Sequence, residues 1–423
     1  MSTIQLAQLL DQAETAKTQR DYDETVRLYG LIIAQTAENP TDPIVKEIRL
    51  AALRENGRLC RLLGNHQEAL ACYEQYYLCV SSGEQAVDAL ALLANQFNNM
   101  GRYEEAIKAS QEALDLTTAL NYTRGRAAAF QNMGRSHAQL GREEEAANHL
   151  RKALSLFEQL DDKKESSRTC NWLGVVMLDQ GHVDNAIQFF QQALLLADHI
   201  SDIQKATVLS NLGECHQTLF DTQQAIVYHR QALALAKQTQ FSSLEADLTR
   251  NLGVDLADIG EIEEGADCLI EALRLSAETG QHDIKLQTLA SLAQVEIARS
   301  NLTQALHYAE TMQAEATAIK ARHYEAYALY VLGLCYQFQG ELVKAEQTWH
   351  TALFRAHETN QQALLWRIHA GLAEVVGIEA LAKTHYRIAA EVIDQIVYPI
   401  ESQALREAFL NATPVKKILE ASV

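Results

Sequence analysis

A chain that repeats itself every few dozen residues cannot close around one globular core, and this sequence repeats itself about every 40 residues. A small residue is followed seven positions later by a glycine or its substitute, and five later by a second small residue. The instances are Gly57/Gly64/Ala69, Ala94/Gly101/Ala106, Gly134/Gly141/Ala146, Gly174/Gly181/Ala186 and Gly213/Phe220/Ala225. They continue as Gly253/Gly260/Gly265, Ala293/Ser300/Ala305, Gly333/Gly340/Ala345 and Ala370/Gly377/Ala382, after a fainter first copy at Ala13/Arg20/Thr25. Successive third positions lie 44, 37, 40, 40, 39, 40, 40, 40 and 37 residues apart. About ten copies of one short unit, each too small to bury its own apolar side, must stack on their neighbours.

The residue types indicate a helix–turn–helix unit. The first small residue falls midway along a helix, where a larger side chain would hold the partner helix away. The glycine two turns later ends that helix in a left-handed conformation. Acids then open the next helix, as in Tyr103-Glu104-Glu105 and Glu143-Glu144-Glu145, where they favour the amino-terminal dipole. The third position again permits close packing. Four residues on, a larger residue (Tyr73, Leu150, Phe190, Leu269, Trp349 or Tyr386) fills the space between hairpins.

Composition agrees with an all-α chain. No proline lies between Pro43 and Pro399, and Ala, Leu, Gln and Glu fill the interval. No stretch alternates β-branched and polar residues as a sheet requires. The formal charge of −19 disfavours a phosphate backbone, so no nucleic-acid partner is expected. Seven single cysteines without a Cys-x-x-Cys pair suit reduced thiols. Neither a signal-peptide core nor an eighteen-residue apolar run is present, so the expectation is a cytoplasmic protein with no membrane partner.

The pattern resembles the tetratricopeptide repeat: Leu-Gly near mid-helix, an aromatic three later, then Gly, Ala, an aromatic and Ala. Leu173-Gly174-x-x-Met177 with Gly181, Ala186, Phe190 and Ala193 carries it, as does Leu332-Gly333-x-x-Tyr336 with Gly340, Ala345, Trp349 and Ala352. The period near 40 is that of longer-repeat members such as kinesin light chains, and the family's helix-ending proline is absent from the interior repeats. The resemblance covers roughly residues 5–397 and implies a right-handed α-solenoid.

The expected organisation is an amino-terminal capping hairpin over residues 1–43, an array over 44–397 and a short helical cap over 398–423. Asn39-Pro40-Thr41-Asp42-Pro43 breaks the chain after the first hairpin, and Tyr398-Pro399 ends the last regular helix. Leu405, Phe409, Leu410, Val415, Ile418 and Leu419 supply the apolar side of the cap. This tail is similar to the carboxyl end of bacterial signalling ATPases and cyclases that finish in such an array.

No phosphate loop, dinucleotide fingerprint, His-Glu-x-x-His, Gly-x-Ser-x-Gly or calcium loop occurs, and the fourteen histidines are scattered. The sequence therefore calls for no cofactor, no metal and no catalytic residue. The resemblance instead implies a protein or peptide partner held on the inner face of the first helices. Its ligand positions lie two, three and six residues before the first small marker and one after it. Asn132, Trp172, Asn211 and Asn251 stand two before; an Asn amide donates and accepts at once and so can read a peptide unit whatever its side chain. Equally, such amides can face solvent or tie neighbouring hairpins, and Trp172 can turn into the core. Arg135, Arg168, Glu214, Asp247 and Arg250 surround them, and Tyr327 and Tyr330 occupy the same face nearer the carboxyl end. Arg54, Arg58 and Arg61 form a stripe that suits a carboxylate or phosphate, or a solvated face paired with Glu55. The family's carboxylate clamp is not met, because Ala128, Thr207 and Asp247 occupy its lysine places. The expected function is a scaffold holding an extended segment of a partner protein, with a ligand- or peptide-sensing regulator as the alternative and an unrecognised enzyme as a remote one.

Overall fold

The computed structural model describes residues 2–37, 42–80, 82–196, 199–239, 242–359 and 361–422. Most of the Asn39–Pro43 break lies outside them. Two compact units divide the chain at Val176 and Met177. The first contains α1 (Thr3–Thr18), α2 (Tyr22–Gln35), α3 (Pro43–Leu62), α4 (His66–Cys79), α5 (Glu84–Asn99), α6 (Tyr103–Leu120), α7 (Thr123–Gln139), α8 (Glu143–Gln159) and most of α9 (Lys163–Asp179). The second contains α10 (Val183–Leu195), α11 (Asp202–Thr218), α12 (Thr222–Thr239), α13 (Ser242–Asp258), α14 (Ile262–Glu278), α15 (His282–Ala298), α16 (Leu302–Ala318), α17 (Arg322–Phe338) and α18 (Leu342–Glu358). It continues through α19 (Gln362–Val375), α20 (Glu379–Val397), α21 (Gln403–Asn411) and α22 (Thr413–Ala421). The fold is all-α, of the α-solenoid kind: ten successive helix pairs followed by two short helices, with no strand among the described residues.

The markers act as their chemistry requires. Gly64, Gly101, Gly141, Gly181, Gly260 and Gly340 end first helices with φ between 68° and 93°. Arg20, Phe220 and Ser300 adopt the same left-handed conformation without a glycine's freedom. Turns between repeats, which lack the family's proline, use the same device at Asn121, Asp161, Gly280 and Lys320. Gly377 is the exception: α19 ends early at Val375, and the next residue is extended.

Close approach explains the first marker. A Cβ on Gly333 would stand 2.2 Å from the Trp349 indole nitrogen, and one on Gly134 would stand 2.5 Å from Leu150. Trp349 is fully buried, and its indole N–H donates to the Tyr330 carbonyl at 3.0 Å. The expected filler residue thus packs on the expected small one, within one hairpin.

First helices also pack on the first helices that follow: α1 on α3 and α5 on α7 in the first unit, α13 on α15 and α15 on α17 in the second. Among the described residues, comparable contacts do not join successive second helices within either unit. Within each unit the first helices therefore crowd together and form the inner side of the curve.

The carboxyl-terminal segment covers the end of the second unit and also reaches back within it. Val415 and Ile418 are buried where α22 packs on α20, and Lys417 pairs with Glu374 of α19 at 2.6 Å. The segment before α21 lies against the turn that precedes α10. The Asp184 carboxylate accepts from the backbone N–H groups of Glu401 and Ser402, each at 3.0 Å. The His182 ring nitrogen lies 3.1 Å from the Pro399 carbonyl, and the Phe220 and Phe409 rings meet at 5.5 Å.

Candidate binding groove

Positions six and three residues before the small marker and one after it keep solvent access on several first helices, although Gln131, Ser210 and Ala290 at the second of them are buried. Spacings of three and four put them on one helical stripe. Arg168, Asp247 and Tyr327 occupy the first of these positions. Arg54, Arg250 and Tyr330 occupy the second, and Arg58, Arg135 and Glu214 the third. The position two before the marker is rotated away from this stripe by one residue, about 100°. At Asn132 and Asn251 it turns the side chain into the stack.

That rotation changes the task of the amides. Asn132 is 4% exposed, and its Nδ2 donates to the Ala91 carbonyl of α5 at 3.1 Å, while its own carbonyl accepts from Asn98 and Ser136. Asn251 is fully buried, and its Oδ1 accepts from Arg250 at 2.6 Å. Both hold the stack together, as ties between or within inner helices, and neither presents its amide on the inner surface. Asn211 and Trp172 are half-buried at the same position.

In the first unit the inner face is basic. Arg135 stacks over Trp172 with its guanidinium carbon 4.7 Å from the ring centroid, and its Nη2 reaches Asn99 Oδ1 at 3.3 Å. Its Nε is buried without a hydrogen-bond partner. Burial, and then the positive charges of Arg168 and Arg61, pull its guanidinium down to about 10. It remains charged at neutral pH. Arg168 pairs with Glu165 of its own helix at 3.0 Å. In the stripe on α3, Arg54 and Arg58 both pair with Glu55, at 3.2 and 2.9 Å, and Glu55 also takes Lys17 at 2.8 Å. Arg61 lies apart from that network and contributes to the positive field at Arg135.

In the second unit the inner face is acidic and aromatic. Glu214 is pushed up by burial and by Asp247, against the opposing pull of Arg250, His229 and the Asn251 amide. Arg250 pairs with Asp247 at 3.2 Å. Asp258, one turn beyond the stripe, is lifted to about 6 by desolvation and by Asp255, with Arg367 opposing. Tyr327 and Tyr330 stack with centroids 6.0 Å apart, and Gln294 donates to the Tyr327 hydroxyl at 3.1 Å. Burial pushes Tyr330 up to about 12. Arg135, Glu214, Tyr330 and Asp258 all retain solvent access, yet each is surrounded by enough protein to shift its ionisation. Desolvated but reachable groups are what the floor of a concave surface provides.

Comparison with known proteins settles the family. The tetratricopeptide repeat profile matches residues 86–159 and 166–238. Tetratricopeptide repeat protein 29 of Trypanosoma brucei brucei is 21% identical over 58% of this chain. The anaphase-promoting complex subunit cut9 of Schizosaccharomyces pombe is 27% identical over 47% of it. The chain is a tetratricopeptide-repeat protein. The aligned regions span 52% and 32% of those relatives' own lengths. Among solved structures, a Rap protein complexed with Competence and Sporulation Factor matches 80% of this chain and 98% of its own, with TM-score 0.60 and 14% identity. The apo quorum sensor NprR of B. thuringiensis matches 83% and 98%, with TM-score 0.58 and 14% identity. At such identities these likenesses establish the fold alone.

Beneath the groove of this tetratricopeptide-repeat protein lies a polar network that sequence reasoning missed. His229 occupies the filler position of its repeat, fully buried against Gly213, and its Nδ1 lies 2.6 Å from Asp255 Oδ2. Gln217 donates to the other Asp255 oxygen at 2.8 Å. A histidine where other repeats carry Tyr, Leu, Phe or Trp was the available signal. Asn99, Asp258 and Arg367 were also missed. Arg367 stands three before its marker and was legible by register. Asn99 and Asp258 lie one turn past the motif, which the family pattern does not mark.

Proposed function

We propose that this tetratricopeptide-repeat protein is a binding scaffold that holds an extended segment of a partner protein along its first helices. The observation that carries the reading is that each unit separately presents half-buried, solvent-reachable groups on its first helices: Arg135 and Trp172 in the first, and Glu214, Tyr327 and Tyr330 in the second. Such groups offer a partner strong polar and stacking contacts whose desolvation cost is already met by folding. Asn211 remains part of the proposed surface, whereas Asn132 and Asn251 support it from behind. The test is selection of peptides from a random displayed library on the purified protein. Peptides so selected should lose about tenfold or more in affinity for Trp172→Ala or Tyr330→Ala. They should bind unchanged to Arg387→Ala, on the exposed side of α20. Equal binding to all variants would place the site elsewhere.

A peptide-sensing regulator is the second reading. It is supported by likeness to a Rap protein complexed with Competence and Sporulation Factor and to a quorum sensor, and by the carboxyl-terminal segment that clasps Asp184. Sensing predicts that a selected peptide changes hydrogen exchange at Glu401 and Ser402, whereas a plain scaffold leaves those amides unaffected.

A further inference from the structure

We propose that the inner face of the first unit selects a carboxylate: the segment it holds is acidic, and a Glu or Asp side chain seats on Arg135 beside Trp172. This inference rests on the scaffold reading and names the chemistry of its occupant. Three observations carry it.

Arg135 has no acid within ion-pair distance among the described residues, and the charges that perturb it most are the like charges of Arg168 and Arg61. Most half-buried arginines elsewhere in the chain are answered: Arg168 by Glu165, Arg250 by Asp247, Arg299 by Glu296. A desolvated cation without a counter-ion is a standing cost, recovered when an anion arrives. The guanidinium is also already oriented. Stacking on Trp172 fixes its plane, and Asn99 fixes one end through Nη2. An oriented fork suits a planar carboxylate, because little side-chain freedom remains to be lost on binding. Finally, the surroundings favour a peptide over a free ion. Trp172 is half-buried and offers an apolar face next to the charge, and Arg168, 34% exposed, lies on the next inner helix. A chain with one acid and an adjoining apolar residue satisfies both features, which an inorganic anion cannot.

The test uses the full chain and two synthetic pools of fluorescent octapeptides, identical in composition except that one central position is fixed as Glu or as Gln. The Glu pool is expected to bind about tenfold more tightly, as a charge-assisted hydrogen bond in a desolvated site implies. Arg135→Gln should abolish the preference, and Arg135→Lys should retain part of it, which separates loss of charge from loss of fold. Inorganic phosphate added to about 50 mM should compete no better than chloride of equal ionic strength. If phosphate alone displaces the Glu pool, the site is one for free anions and the peptide assignment falls. Equal binding of both pools overturns the inference while leaving the scaffold reading intact. If neither pool binds the unaltered protein, both readings fall.

Discussion

The inner faces of the two units are the same surface of the same repeat, with opposite chemistry. In the first, Arg61, Arg135 and Arg168 give a basic floor with one indole. In the second, Glu214, Asp247 and Asp258 give an acidic floor with paired tyrosines, and a buried His229–Asp255–Gln217 network lies beneath it. The backbone is indifferent to this difference. What varies is the stripe six and three before the marker and one after it, which the stack leaves facing inward. What must be conserved physically is the contact between marker and filler, because a Cβ on Gly213 or Gly333 has no room. Recognition can therefore change along the array at little cost in stability, and the second unit illustrates what happens when polar chemistry enters the filler layer as well.

Breaking that buried network should have the largest effect. Replacing His229 by Leu leaves Asp255 buried with only Gln217, and removal of one partner of a buried pair costs about 3–5 kcal/mol. Pairing it with Asp255→Ala should return most of the loss, since Leu and Ala together have nearly the combined volume of His and Asp and need no partner. In the first unit the corresponding filler is Leu150, and Leu150→Ala should cost about 2–5 kcal/mol through its cavity alone, with no second change that rescues it. Hydrogen exchange in α11–α14 and in α7–α8 reads the two units separately. A His229 variant no less protected than the wild type would remove the distinction drawn between the units.

How much of this was legible beforehand follows from which contacts the repeat dictates. The helix pairs, left-handed ends and close packing of Gly333 on Trp349 all depend on local steric rules, so spacing revealed them. That Arg168, Arg250, Tyr327 and Tyr330, with Arg135, fall at stripe positions of their helices follows from register alone. The amides were harder to place. Asn132 and Asn251 differ from groove residues by a single helical step, and a family motif that groups positions two and three before the marker cannot separate them. The return of Glu401 and Ser402 to Asp184 was not legible at all: 217 residues separate the first pair, and no period links them.

That return contact sharpens the comparison, since it fastens an end of the second unit. Asp184 accepts two backbone N–H groups with one oxygen and is 7% exposed. Asp184→Ala should cost about 1–3 kcal/mol, confined to the segment before α21. Faster exchange at Glu401 and Ser402, with α15–α18 unaffected, is the expected result. Uniform loosening of the whole unit would instead make the clasp part of its core.

The smallest effect concerns the acidic floor itself. Asp258 has a folded-state value near 6, raised from the ordinary 3.8, so between about pH 4 and 6 the unfolded chain releases its proton while the folded one keeps it. The folded state then binds more protons, and stability falls as pH rises through that window. Asp258→Asn removes the penalty and should flatten the pH–stability curve of the second unit, with no difference below about pH 4. Because the side chain is more than a third exposed, solvent screening reduces the gain at neutral pH to a few tenths of a kcal/mol. Arg367 opposes the shift. A variant less stable than wild type at pH 7 would mean that attraction to Arg367 outweighs desolvation, and that the floor of the second unit is balanced in charge rather than strained by it.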